Sequence, residues 1–491
     1  MQQNSYTFQE NYRYGILLSI IYGFVWFIDL LDASTLNVAL PALAQAFSIS
    51  PTEAEWAIIG FLLTMTIGMS ISNWLADNFG TKTIFILAQA LYIGSSIGCG
   101  FAQTILQLDA FRALQGFSGG MAIPIGMAAL MRVMPRSKWA KTSSYMNMVT
   151  LIAPAMGPIF AGYVTGSLGW RWIFFLKLPL SFICLYLSIY WIRKDPKTET
   201  SKFDWPGFVL SSLSLTLILY VFSEIGKTEG SYLFLIGLLI LGILSGMLFI
   251  RVEKKAVSPL IPLAIFRFPH FSFGNLIQSA ANTIFLGANF IIALYLQRGL
   301  GLDIVTTGWV MSAITPGMIL TLPLVGKFYN KIGPLPFMLP GLVLLGLSTM
   351  AFAFVSSTTS PFILALLVFF EGAASSMVQT ANVTSIFSGI PHKHKTTGST
   401  LYSLFKQISA SFGVALSAMV LSIGMKSKGL SLVSSEIHPG QLLGPFHICF
   451  IVLGAIPLFA ISFCYYINNK QALKETQTPD HLHTEAEYGA E

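Results

Sequence analysis

The sequence predicts an all-α, polytopic membrane protein of fourteen transmembrane helices, built as two six-helix halves with two helices inserted between them. Three observations predict it. Hydrophobic residues make up 54% of the 491-residue chain and charged residues only 10%, whereas soluble globular chains carry roughly 25% charged residues. Fourteen apolar runs are each long enough to cross a bilayer, which takes about 20 residues per helix. With both ends of the chain on one side of the membrane, 20 of the 28 Lys/Arg residues fall on that side, five fall opposite and three fall inside helices. Such a bias over short loops marks the cytoplasmic side and requires an even helix count.

In chain order the runs cover 14–36, 54–76, 83–102, 107–131, 141–165 and 170–192 in the first half. The inserted pair covers 205–225 and 231–251. The second half covers 271–296, 304–326, 334–356, 360–388, 396–424 and 444–467. The chain accordingly divides into a cytoplasmic N-terminus (1–13), a first half (14–192), the insert with its linkers (193–270), a second half (271–467) and a polar tail (468–491). The tail has few apolar residues and is expected to be disordered and cytoplasmic. An internal echo supports the halves. "NWLADNFGTK" follows the second helix and "VGKFYNKIGP" the tenth, so that Asn73, Asp77 and Gly80 align with Gly326, Asn330 and Gly333. Repeated halves are typical of secondary transporters.

Several function classes are excluded at this level. The net charge of +7 is spread over short loops and forms no basic face for nucleic acid. Cys99, Cys184, Cys449 and Cys464 each stand in a separate apolar run with no metal-ligand or disulfide spacing, and read as buried small hydrophobes. No cleavable signal peptide is expected from the N-terminal pattern. There is no nucleotide loop, metal cluster or nucleophile constellation, so the reading is a non-enzyme without metal or cofactor, driven by an ion gradient.

The residues that carry chemistry are charges inside apolar runs. "FIDLLDASTLNVALP" places Asp29 and Asp32 in the first helix. Each costs about 2.5–3.5 kcal/mol at a helix centre on insertion scales. Spaced i and i+3, they share one face, which must look into the bundle or a wet cavity. Such groups can take a proton on one side of the membrane and release it on the other. Arg112 cannot be neutralised and needs acceptors inside the fourth helix. Glu371 falls near mid-membrane in the twelfth helix, and is read either as a site for a cationic substrate or second proton or as a structural partner of Lys406 in the thirteenth. Lys177, close to the outer end of the sixth helix, is expected to snorkel to the interface. Gln278, Asn282, Asn289, Gln379 and Asn382 either line a cavity or bond between helices.

"LDASTLNVALP", "RALQGFSGG", "APAMGPIFAG", "GWRWIFFLKLP", "FDWPGFVL" and "PLIPLAIFRFPHF" together resemble, over essentially the whole chain, the major facilitator superfamily, and within it the fourteen-helix drug:proton antiporters of multidrug efflux. The resemblance implies alternating-access export of small amphipathic or cationic compounds against protons across the inner membrane. It implies proton coupling at Asp32 and Arg112, with Asp29 added by its position. A substrate cavity would involve Gln115, Glu371, Asn282, Gln379, Asn382 and Lys406. Conformational motifs would lie at Asp77, Gly80, Gly157, Pro158 and Gly162. The expected partners are protons, a small-molecule substrate and membrane lipid, with no nucleic acid; the chain is expected to be monomeric, and a periplasmic adaptor protein is left open. The alternatives are a dedicated exporter of an endogenous metabolite such as a siderophore, or a transporter-like sensor. Departures from the family pattern are Asn73, Asn78 and Thr81 in the loop after the second helix, Ala153 and Ala161 in the fifth, Lys177 where Asn is usual, and Glu371.

Overall fold

The computed structural model describes residues 2–133, 139–193, 203–225, 232–256, 260–261, 263–388, 390, 395–428, 439–467 and 469. The C-terminal tail, Asn469 apart, and parts of the basic loops lie outside the described residues. Among the described residues there is no β-strand. Among the described residues fourteen long helical segments follow one another, with a short 3-10 helix, Leu263–Arg267, before the ninth. In the first half they are α1 (Gln2–Phe47), α2 (Trp56–Phe79), α3 (Thr81–Phe101), α4 (Ile105–Val133), α5 (Trp139–Leu168) and α6 (Trp172–Trp191). The insert is α7 (Trp205–Glu224) and α8 (Tyr232–Glu253). The second half is α9 (Pro269–Gly299), α10 (Ile304–Ile332), α11 (Leu335–Phe354), α12 (Pro361–Ser388), α13 (Lys395–Ser427) and α14 (Leu442–Tyr466).

The helix ends follow local chemistry. Asp204 caps α7 by accepting from the Gly207 amide at 3.0 Å, and Asp303 caps α10 by accepting from Thr306 at 2.9 Å; each satisfies an amide that the first turn leaves without a partner. Gly80 (φ +89°) and Gly333 (φ +81°) end α2 and α10, at a backbone angle that only glycine adopts freely. Both amides donate to the carbonyl four residues back, at 2.8 Å. The sequence echo is therefore a repeated turn in three dimensions.

Two boundaries differ from the hydropathy reading. α1 runs from Gln2 to Phe47, beyond the expected 14–36 at both ends. Its second part passes through Pro41 because Leu36, Leu40, Leu43 and Ala44 are fully buried, and that burial offsets the hydrogen bond the proline removes. α6 is interrupted after Phe175 and resumes at Leu178. Pro179 has no N–H to give to the Phe175 carbonyl, so the ladder breaks there.

Packing separates the halves at one end and joins them at the other. We call the end where α1 begins the terminal end and the opposite one the distal end. One apolar core runs across both halves and takes in Leu36–Leu40 of α1, Ala57–Leu63 of α2, Ile284–Leu296 of α9 and Val414–Leu421 of α13. A second core, confined to the first half, is built on Leu18, Ile21, Tyr22, Val25 and Ile28 of α1 with Phe85 and Met121. The Val38 carbonyl in distal α1 accepts from the Gln297 side chain at the distal end of α9, at 3.0 Å. The insert leans on this assembly: α7 packs Phe222 against Phe412 of α13 and Tyr220 near Trp56 of α2, with the rings tilted. α8 packs on α7 through Gly242, whose carbonyl accepts from Ser214 at 2.8 Å, and turns most of its apolar side chains outward.

Candidate functional site

Asp29 and Asp32 sit in the middle of α1, with only 4% and 1% of their surface exposed. The two oxygens of Asp32 are taken by two cations. Oδ2 accepts from the Arg112 guanidinium of α4, and Oδ1 is paired with the Lys177 ammonium of α6. Arg112 is fixed on its other sides as well. Its Nε donates to the Ala57 carbonyl of α2 at 2.9 Å, a terminal nitrogen donates to Gln115 Oε1 at 2.7 Å, and its guanidinium lies 4.1 Å from the centre of the Phe61 ring. The cluster thus ties α1, α2, α4 and α6 together. Two acids face two cations, and a buried charge persists only when paired in this way.

Each helix contributes for a local reason. α1 brings both acids to one face by their spacing. α4 can approach because Gly116, Gly119 and Gly120 carry no side chain. A Cβ on Gly116 would overlap the Phe61 carbonyl, and one on Gly119 would stand 3.0 Å from Asp29 Oδ1. α6 contributes through its break. The chain turns at Leu176–Lys177, and Lys177 points inward past the Phe174 ring, 5.2 Å away.

Lys177 corrects the snorkelling expectation: it is only 3% exposed. Its position near the end of an apolar run suggested a path to the interface, but the Pro179 break redirects the side chain toward Asp32. The signals in the sequence were the proline two residues on and the departure from the family's asparagine. Gln115 was expected in a substrate cavity; it is fully buried in the ion cluster as an acceptor for Arg112.

The second half is arranged differently. Glu371 in α12 is 0% exposed, and among the described residues neither of its oxygens has a hydrogen-bond partner. Among those residues no ion pair joins it to Lys406, whose own side chain is exposed. Asn282 donates to the Lys406 carbonyl at 2.6 Å, which links α9 to α13. Asn382 donates to the Gly274 carbonyl at 2.8 Å and to Gln278 at 3.2 Å, which links α12 to α9. Both asparagines therefore face neighbouring helices in this conformation. Gln379 and Asn289 are half-buried and bond within their own helices, leaving parts of their amides toward open space. The halves also repeat here. A Cβ on Gly372 would overlap the Ile314 carbonyl, just as one on Gly116 would overlap that of Phe61. Glu371 immediately precedes Gly372 as Gln115 precedes Gly116, so the acid occupies the second-half counterpart of the glutamine.

The motif residues are placed as follows. Asp77 is half-buried two residues from the end of α2, next to the Gly80 turn. Gly157 of α5 lies against Ser34 of α1 with no room for a Cβ. Gly162 and Pro158 meet α10: a Cβ on Gly162 would be 2.7 Å from the Ile304 carbonyl, and one on Gly308 would overlap that of Pro158. This is a contact between the halves, and like the Val38–Gln297 bond it lies at the distal end.

A buried arginine–aspartate pair within one of two repeated helical halves is compatible with several membrane families, and the family comparison decides among them. The family model described as Major Facilitator Superfamily matches residues 22–413 and 271–486. The chain belongs to the Major Facilitator Superfamily. Membership makes it a multi-pass membrane transporter and not an enzyme. Among its relatives is a Salmonella paratyphi A protein named "Putative multidrug resistance protein MdtD", 28% identical over 453 residues, covering 92% of this chain and 95% of the relative. The protein of the same name from Salmonella typhi is 28% identical over 466 residues, covering 94% and 97%. Solved structures share the superfamily fold. A bacterial homologue of the human lysosomal transporter Spinster, in an inward-facing, unoccupied conformation, aligns with a TM-score of 0.65 at 16% identity over 95% of this chain and 99% of that one. The POT family transporter PepTSo aligns with a TM-score of 0.66 at 14% identity over 92% and 98%. A D-xylose-proton symporter aligns with a TM-score of 0.63 at 14% identity over 94% and 99%.

Proposed function

We propose that this transporter is a proton-coupled antiporter of the inner membrane that exports small amphipathic or cationic compounds by alternating access. The observation that carries the reading is the buried cluster of Asp29, Asp32, Arg112 and Lys177. Two intramembrane acids held against two cations are expensive to keep, and their protonation changes the charge balance among four helices at once. A proton entering the cluster weakens the grip between α1 and α6, so proton binding and helix rearrangement become one event. Efflux of multiple compounds is supported by the name of the 28%-identical relatives.

With both termini cytoplasmic, as the basic loops favour, the distal end faces outward. The contacts of Gly162 and Pro158 with α10, and of Gln297 with Val38, then close the outer side, and rocking of the halves about them would open it. Glu371 supplies a buried acid in the second half, which ionises when a cationic substrate is there to pair with it. A carboxylate in a low-dielectric cavity attracts a lipophilic cation far more than a neutral solute. Expression in an efflux-deficient bacterium should raise resistance to lipophilic cations, and a protonophore should abolish the difference in their accumulation. Resistance that survives the protonophore would reject proton coupling.

A further inference from the structure

We propose that Asp29, rather than Asp32, is the proton carrier of the cluster, and that Lys177 makes it so by occupying the second oxygen of Asp32. This assignment rests on the reading of the chain as a proton-coupled transporter and names the residue that does the carrying. The argument is one of free positions. Asp32 has Arg112 on one oxygen and Lys177 on the other, so a proton can reach it only after a buried ion pair has been broken. Asp29 is almost as deeply buried, yet its Oδ2 has no hydrogen-bond partner among the described residues, and its carboxyl packs directly against Gly119, where a side chain would displace it.

The groups around Asp29 fit this role. Arg112 from α4 and Lys177 from α6 both attract it without being paired to it. Asp32 stands one turn away on α1, and Tyr92 of α3 is close enough to interact with it electrostatically. Among the described residues, α5 and α9 add no charged group to this surrounding. Half-buried Asp109 of α4 also acts on Arg112 electrostatically. Protonation of Asp29 removes one of the anions that hold the two cations in a medium that tolerates unpaired charge poorly. Lys177, standing at the break in α6, is the cation placed to move. The proton step is simple in its balance: an O–H bond forms at Asp29 while the cluster is open to one side and breaks while it is open to the other, with no other bond changed.

The test is infrared difference spectroscopy of the purified protein across a pH series, reading the C=O stretch of protonated carboxyls. Asp29→Asn should lose one pH-dependent component. The charge-balanced Asp29→Asn/Lys177→Asn double variant should regain one, now from Asp32 with a freed oxygen. A single variant that keeps the full wild-type titration, or a double variant that regains nothing, overturns the assignment. Should the single variant fail to fold, the double variant is compared with the wild type directly: its component should have a shifted midpoint, and an unshifted one overturns the proposal. Proton-driven transport of tetraphenylphosphonium in proteoliposomes is measured beside it. An Asp29 component in a protein that moves no tetraphenylphosphonium with the gradient supports the assignment and rejects the transport reading instead.

Discussion

Asp32 carries the largest structural load of any single side chain in the site. Replacing it with asparagine leaves Arg112 and Lys177 buried without their common anion, and breaking a buried pair from one side costs about 3–5 kcal/mol. Asp32→Asn should therefore lower the thermal unfolding temperature in detergent markedly, and Asp29→Asn much less, because Asp29 closes no ion pair. Equal shifts in a melting experiment would contradict the arrangement. Glu371 is the opposite case. It has no partner to lose, so Glu371→Gln should keep expression near the wild-type level while weakening efflux of cationic compounds and sparing neutral ones. Low expression with equal loss for both kinds of substrate would reject the substrate role. Asp29, Asp32, Arg112 and Glu371 were legible in the sequence because a charge inside an apolar run is conspicuous and has to be paired, hydrated or used. Lys177 was misread because hydropathy measures distance along a helix, while its direction is set by a proline break that shows only once the helix is built. Whether Glu371 met Lys406 was open for the same reason: two charges on different helices give no one-dimensional sign of their separation.

Among the elements, α5 and α10 form a close contact between the halves, the one on which opening would depend in the proposed cycle. Their backbones meet where Gly162 and Gly308 face Ile304 and Pro158, and a methyl group at Gly308 would strike a carbonyl that cannot move aside. Gly308→Ala should splay the distal end and disfavour the closed state. The readout is disulfide crosslinking between cysteines introduced by Val38→Cys and Gln297→Cys, two positions that meet in this conformation, where the Gln297 side chain donates to the Val38 carbonyl. Crosslinking should fall when Gly308→Ala is added, and an unchanged yield would show that the contact does not hold the halves together. The spans themselves were readable from hydropathy, since length and apolar content are what a bilayer selects. Their limits were not. The extension of α1 through Pro41 depends on burial of Leu40 and Leu43 against other helices, and the interruption of α6 on one missing amide.

At the scale of the molecule, the repeat relates two halves that share a turn at Gly80 and Gly333 and a helix contact at Gly116 and Gly372, yet differ in chemistry. The first half pairs a buried acid with two buried cations beside a second acid, and among the described residues the second half buries one acid, Glu371. On the proposed reading, proton handling falls to one half and substrate charge to the other, with the distal seam as the contact about which the halves would rock. The most direct test is simultaneous measurement of proton and substrate flux in proteoliposomes of the wild-type protein, with tetraphenylphosphonium as the substrate. The account predicts that adding the cation on one side drives protons out of the opposite side, and that an imposed proton gradient drives the cation the other way. Movement of the cation with no accompanying proton flux, in either direction, would contradict it.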